Sequence, residues 1–287
     1  MGKLNKRAIF TDIHFGKKSN SEIHNKDCLN YIDWFCKQVK NDPSIDHVWF
    51  LGDWNEERAS ISGLTLKYSY NGAKKLNELG VPVYIITGNH DLHQRNNRNV
   101  FNTEIFGSLP NIILINDITI IDEIHGGVLG VPYLIGDEYE EMLKYKHVPV
   151  VMGHLELKGF RLTGTSSILE EGPDAKTFFK TQRKVFSGHF HCRDSKDNVH
   201  YIGNAFPMDY SDANDTNRGM AVYDFRTDDV KYINWPECPK YIKTKLSDVL
   251  KNPSKVLDEN ARVKVVVDQE ISLSENNEIK KLLTEKY

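Results

Sequence analysis

The chain has 287 residues, 39% hydrophobic and 27% charged, a globular composition with room for one large domain or a domain plus an appendage. Its formal net charge of −3 excludes nucleic-acid binding by bulk basicity, so a polyanion must be held locally or through metal ions. No run reaches the roughly 20 apolar residues of a membrane helix, the first residues lack a signal-peptide pattern, and Lys6 argues against myristoylation at Gly2. A soluble cytoplasmic protein is expected. Cys28, Cys36, Cys192 and Cys238 form no CxxC pair and are expected as free thiols.

In chain order, RAIFTDIHFG (7–16) is a short apolar strand running into polar residues. DCLNYIDWFCKQVKN (27–41) carries Leu29, Ile32, Phe35/Cys36 and Val39 at helical spacing, and Pro43 ends it. DHVWFLGD (46–53) is a second strand. LKYSYNGAKKLNELG (66–80) is a helix with Tyr70, Ala73, Leu76 and Leu79 on one face and Gly80 as C-cap. VPVYIITGNHD (81–91) is a third strand, so the first 90 residues alternate β-α-β-α-β, a parallel sheet with helical crossovers. Residues 111–134 are strand-rich, 138–146 a short helix, and 148–157, 184–191, 199–206 and 219–235 further strands. A boundary is placed at 237, giving a catalytic unit over 1–237 and a small, shortened cap or DNA-binding unit over 238–287. In the latter, ARVKVVVDQEISL (261–273) is a strand and ENNEIKKLLTEKY (275–287) a terminal helix.

Five strand ends stop at metal-type ligands: Asp12 and His14, Asp53, Asn89 with His90 and Asp91, His154, and His189 with His191. In α/β sheets, sites form where strand carboxyl ends meet. Asp12 and His14, like His189 and His191, are two apart, which on an extended segment puts each pair on one face. Neighbouring glycines permit sharp turns and close approach. Mixed His, Asp and Asn donors suit Mn²⁺, Fe²⁺ or Zn²⁺, and Mg²⁺ poorly. The absence of thiolate speaks against structural zinc. Seven ligands exceed one ion and suit two, ~3.5–4 Å apart, sharing a carboxylate and acting on phosphorus. Two Mn²⁺ ions are the expected cofactors.

DxH, GDxxxxR, GNHD, GHxE and GHxH, in this order over residues 8–225, resemble the calcineurin-like metallophosphoesterases. GHLELKGF and the 199–225 segment resemble its SbcD/Mre-type DNA-repair nuclease branch, including the nuclease subunits of T-even-type phage recombination endonucleases. The resemblance implies a four-layer α/β/β/α sandwich with a small C-terminal cap. It implies one ion on Asp12, His14, Asp53 and His191 and another on Asp53, Asn89, His154 and His189. His90 is implied as general acid, with Asp91 orienting it. The implied activity is DNA exonuclease and endonuclease cleavage in recombination and double-strand-break processing. The implied partners are DNA, a second copy of the chain and an SbcC/Rad-type coiled-coil ATPase, in the host cytoplasm if the chain is phage-encoded. The chain departs from the family at Glu56, where relatives carry a histidine or aspartate that meets DNA, and in having little beyond the cap.

Glu56 is therefore expected to position Arg58 or a water against DNA rather than to bind metal. Arg58, Lys158, Arg161 and Arg193 are candidate phosphate contacts, with solvated charges the equal alternative. Arg95 and Arg98 could touch phosphates or lie in a dimer contact. The dimer is expected on helices around 64–80 and 95–108, through Tyr68, Tyr70, Val100, Phe101 and Phe106, unless these simply pack on the sheet. His24, His47, His93, His125, His147 and His200 are expected as surface or structural, with His93 near the site, and Cys192 as packing. A small-molecule phosphodiesterase or phosphomonoesterase is the rival enzyme, and a non-catalytic scaffold the rival class. No ligand of the set is missing, which disfavours the scaffold.

Overall fold

The computed structural model describes residues 6–121, 127–162, 167–257 and 261–286. His125, the Gly2 terminus and parts of the 111–134 segment lie outside them. Two six-stranded sheets face each other. The first is ordered β14-β13-β1-β2-β3-β6 and the second β11-β12-β10-β9-β8-β7. In the first, β1 (Lys6–Phe10), β2 (Ile45–Phe50), β3 (Val83–Ile86) and β6 (Ile112–Ile115) run parallel. β13 (Gly219–Asp224) lies antiparallel beside β1, and β14 (Val230–Asn234) beside β13. In the second, β8 (Val128–Val131), β9 (Val150–His154), β10 (Lys184–Gly188) and β12 (Val199–Tyr201) are parallel. β7 (Thr119–Ile121) and β11 (Asp194–Lys196) close its edges antiparallel.

Strand residues alternate between two cores, as the pleat requires. Phe10, Val48, Phe50, Val83 and Ile85 face the helices Glu22–Asn41 and Gly63–Asn77. Ile9, Trp49, Leu51, Tyr84 and Ile86 face Val128, Val150, Met152 and Phe186 of the second sheet. The outer face of that sheet, with Leu129, Val151 and Val185, is covered by short turns bearing Tyr139, Met142, Phe178 and Phe179. The result is the four-layer α/β/β/α sandwich, with a thin fourth layer.

The helix Glu22–Asn41 starts at Ser21, whose side chain accepts from the His24 N–H, and buries Cys28, Ile32, Phe35 and Val39. The second helix spans Gly63–Asn77 rather than 66–80. Ser62 caps its start, and Gly80, at φ +73°, stands beyond the Glu78 C-cap. The expected helix at 95–108 is absent. The strands Leu92–Gln94 (β4) and Asn97–Phe101 (β5) form a hairpin there, followed by a single 3₁₀ turn over Glu104–Ser108. Gln94 pairs with Asn97 and Leu92 with Phe101 across that hairpin. Phe106 is fully buried and Tyr70 packs against it, so these two serve the core. Past 237, Lys240–Lys245 (β15) was missed because its polar alternation hides it. It pairs parallel with Ala261–Val266 (β16), next to the helix Leu273–Lys286.

Candidate active site

The site grows from the way β1 and β2 stay zipped beyond their ends. Asp12 N–H donates to the Gly52 carbonyl at 3.0 Å, His14 N–H to Asp53 at 3.2 Å and Phe15 N–H to Trp54 at 2.8 Å. Glu56 N–H returns to the Phe15 carbonyl at 2.9 Å. These bonds hold Asp12, His14 and Asp53 at φ of 49°, 50° and 61°, and His189 stands at 86°. Left-handed backbone at a residue other than glycine costs about 1–3 kcal/mol and persists only where the surroundings enforce it. Asp12 and His14 thus share the site through two left-handed turns, not through extension, while Ile13 and Phe15 enter the core. His189 and His191 likewise follow a turn after β10.

Gly88 lies where β3 ends. A Cβ there would sit 2.3 Å from both the backbone nitrogen and Oδ1 of Asp53. Gly52, at φ +100°, would place a Cβ 2.3 Å from His154 Nδ1. Only glycine lets these loops close on the acid.

Three donor groups result, each able to hold an ion: Asp12–His14–His191, His14–Asp53–His90 and Asp53–His154–His189. Asp53 Oδ2 lies 3.8 Å from His14 Nε2 and 3.4 Å from His154 Nε2, while its Oδ1 accepts the His90 N–H at 2.8 Å. Asp12 Oδ1 is 3.8 Å from Nε2 of both His14 and His191. Asn89 Oδ1 lies 3.0 Å from His154 Nε2 and 2.9 Å from His189 Nδ1. The seven expected ligands therefore converge, with Asp53 between the two sets. Sequence reasoning missed Glu156, the last residue of GHxE. Its Oε2 is 3.8 Å from His189 Nε2 and 3.2 Å from the Tyr133 hydroxyl.

Asp12 and Asp53 are fully buried, which alone would raise them. Neighbouring imidazoles outweigh burial and hold Asp12 below, and Asp53 well below, the usual carboxylate range. Burial would lower His14 and His154, yet Asp12 and Glu56 hold His14 at about 10, and Asp53 holds His154 at about 9. In the protein alone, imidazole protons balance the carboxylates. The facing Nε2 atoms of His14 and His191, 3.2 Å apart, suit a shared cation better than each other. The donor set fits divalent ions.

Other candidates fall elsewhere. Asp91 does not meet the His90 ring. Its buried carboxylate accepts the N–H groups of Asp53 (2.9 Å), Trp54 (3.0 Å), Asn55 (3.3 Å) and Gly88 (2.9 Å). Burial and then the Asp53 charge push it up to about 7. The Glu56 carbonyl orients His90, at 2.8 Å from Nδ1. The Glu56 carboxylate engages His14 and Lys17 rather than Arg58. Arg58 lines a hollow of about 300 Å³ with His93 and Asn102, and its buried Nε and Nη2 have no hydrogen-bond partner among the described residues. The Arg193 guanidinium stacks on Tyr232 at 4.4 Å and donates to Asn234 at 2.8 Å. Arg161 donates to the Arg193 carbonyl at 2.9 Å and sits 3.5 Å from Asp194. Arg161 thus holds the loop that carries Arg193, whose own guanidinium is turned to β14. His24 is structural, its Nε2 2.9 Å from the His14 carbonyl. Cys192 is buried packing.

The chain is 29% identical to exonuclease subunit 1 of Enterobacteria phage T4 over 227 residues, 77% of this chain and 65% of that relative. Among solved structures, an archaeal phosphodiesterase covers 80% of this chain and 99% of its own at 14% identity and TM-score 0.43. A dimetal phosphatase from Danio rerio covers 77% and 93% at 10% identity and TM-score 0.47. A nuclease from Pseudomonas putida covers 76% and 84% at 13% identity and TM-score 0.36. Residues 6–193 match the calcineurin-like phosphoesterase family. All seven converging residues lie inside that span, and the chain belongs to the calcineurin-like phosphoesterase family.

Proposed function

We propose that the chain is a two-metal DNA exonuclease and endonuclease working in recombination and double-strand-break processing. The observation that carries the reading is Asp53, whose Oδ2 lies 3.8 Å from His14 Nε2 on one side and 3.4 Å from His154 Nε2 on the other. The likeness to the phage T4 exonuclease subunit supports DNA as substrate. Bound ions, Mn²⁺ in our reading, supply an activated water and neutralise charge at phosphorus. Asp12, His14, Asp53 and His191 hold one, and Asp53, Asn89, His154 and His189 the other. The Glu56 carbonyl holds His90 by Nδ1. With Nδ1–H held there, the imidazolium form of His90 carries its second proton on Nε2, and that proton passes to the leaving oxygen as the P–O bond breaks, leaving neutral imidazole. Arg58, with two unpartnered guanidinium nitrogens, takes a phosphate oxygen.

The chain acts as a homodimer in this reading. The exposed side chains of Leu66, Val100 and Ile105 beside the Arg58 hollow support that contact. For a coiled-coil ATPase partner, the support is an apolar groove of about 360 Å³ lined by Val263, Val265 and Ile279. No helix among the described residues is long and apolar enough to cross a membrane. A cytoplasmic setting is part of the proposal.

The test is end-labelled DNA with Mn²⁺, with p-nitrophenyl phosphate and cyclic nucleotides in parallel, and chelator as control. Metal-dependent DNA cleavage is expected. Turnover of the small esters with inert DNA would overturn the nuclease reading in favour of a small-molecule phosphodiesterase.

A further inference from the structure

We propose that Glu56 is a positioning residue of the metal centre, fixing the tautomer and aim of His14 through its carboxylate. The proposal rests on the two-metal reading above. It gives Glu56 a different job from meeting DNA.

Three contacts converge on this residue. Its Oε2 stands 2.8 Å from His14 Nδ1. Both atoms are buried, and neither has a conventional hydrogen-bond partner among the described residues, so this close ion-pair approach is the polar contact each has. Its Oε1 lies 3.5 Å from Lys17 Nζ, so the second oxygen is also faced by a cation. Its backbone carbonyl is 2.8 Å from His90 Nδ1. The main chain has little freedom to withdraw, because the Glu56 N–H is bonded to Phe15 at 2.9 Å.

The consequence is chemical. The carboxylate faces His14 Nδ1 at 2.8 Å and favours the proton on that nitrogen, which leaves Nε2 as the free lone pair. Nε2 is the atom that faces Asp12, Asp53 and His191. An imidazole whose far nitrogen is held by a carboxylate binds metal more strongly, and loss of such a partner typically weakens metal affinity or activity about 10–100-fold. The same residue sets His90 by its carbonyl, which no side-chain substitution removes. The Glu56 carboxylate also lies 4.0 Å from His90 Nδ1, so turnover reads both residues and Mn²⁺ affinity is the readout that isolates the effect on His14.

The test is Mn²⁺ titration of the full chain, followed by the electron paramagnetic resonance signal of free Mn²⁺. Wild type, Glu56→Gln and Glu56→Asp are compared, with thermal unfolding of the metal-free proteins as a fold check. Glu56→Gln keeps the size of the side chain and removes the charge. We expect its weaker Mn²⁺ site to lose about 10–100-fold in affinity, Glu56→Asp to fall between, and excess Mn²⁺ to restore hydrolysis in both. Wild-type Mn²⁺ affinity in Glu56→Gln overturns the proposal, whatever happens to activity. That includes the case where only duplex cleavage suffers, which would return Glu56 to the DNA. A wild-type chain that binds no Mn²⁺ overturns the two-metal reading instead, and differs plainly from wild type and variant binding equally.

Discussion

Asp91 holds Asp53 by the backbone: one carboxylate oxygen accepts the Asp53 N–H at 2.9 Å, and the other the Trp54 N–H at 3.0 Å. A buried acid thus shapes the loop that presents Asp53, and its fourth bond, to Gly88 at 2.9 Å, ties in the end of β3. Asp91→Asn replaces one acceptor with an NH₂ that faces backbone N–H groups. The expected loss is about 2–4 kcal/mol of stability, the scale of buried hydrogen bonds to a charged group left unmade. Urea unfolding measures it. Unchanged stability with lost turnover would show that Asp91 acts on the chemistry and not on the loop.

His90→Ala should retain bound metal and lose about 10²–10⁴-fold in kcat, the usual reach of a general acid. His90 belongs to the His14–Asp53 donor group, so metal content must be measured alongside. A depleted metal count in this variant would make His90 a ligand.

Gly88→Ala drives a Cβ to within 2.3 Å of Asp53 Oδ1. The loop must move, and misplacement by about 1 Å can reduce turnover about 100-fold. Metal affinity should fall with it. Wild-type kinetics in this variant would mean that the loop absorbs the methyl group freely.

His200 offers a pH signature away from the cluster around Asp53. It stacks on Phe186 at 5.4 Å, and burial, aided by Lys184 and opposed by Asp228, lowers it from 6.5 to about 4. A histidine lowered on folding takes up its proton first in the unfolded chain. Its contribution to stability is intact above 6.5 and is lost as pH falls toward about 4. His200→Gln should therefore show a smaller Tm decrease between these limits than wild type. Parallel Tm curves would sink the assignment.

Wild type should sediment as a dimer at micromolar concentration, and Val100→Asp with Ile105→Asp as a monomer, since both side chains are exposed, at 55% and 45%. A monomeric wild type removes the dimer from the proposed function.

What the sequence by itself determined is the catalytic scaffold. Short apolar runs ending in Asp, Asn or His marked β1, β2, β3, β9 and β10, because burial of a strand on both faces leaves a continuous apolar signal. The ligand types were legible for the same reason: a polar metal donor at the end of a buried strand contrasts with everything before it. The helix Glu22–Asn41 was legible from its spacing. Strand β15 was not, since KYIKTK alternates lysines with residues that tertiary contacts bury: Tyr241 is 2% exposed and rests against Lys18 and Arg262. The 95–108 segment was read as helix because local apolar residues carry no record of which partner satisfies the backbone.

Only the tertiary structure decided the roles of Glu56, Asp91, Arg193 and Glu156. Each depends on a contact between residues far apart in the chain, or on which oxygen or nitrogen of a side chain faces which neighbour. Glu56 and His14 are 42 positions apart yet meet at 2.8 Å, because β1 and β2 remain bonded past their ends. Spacing in sequence records the direction of a strand. It does not record the left-handed turns at Asp12, His14 and Asp53, which surrounding hydrogen bonds impose and which aim the side chains.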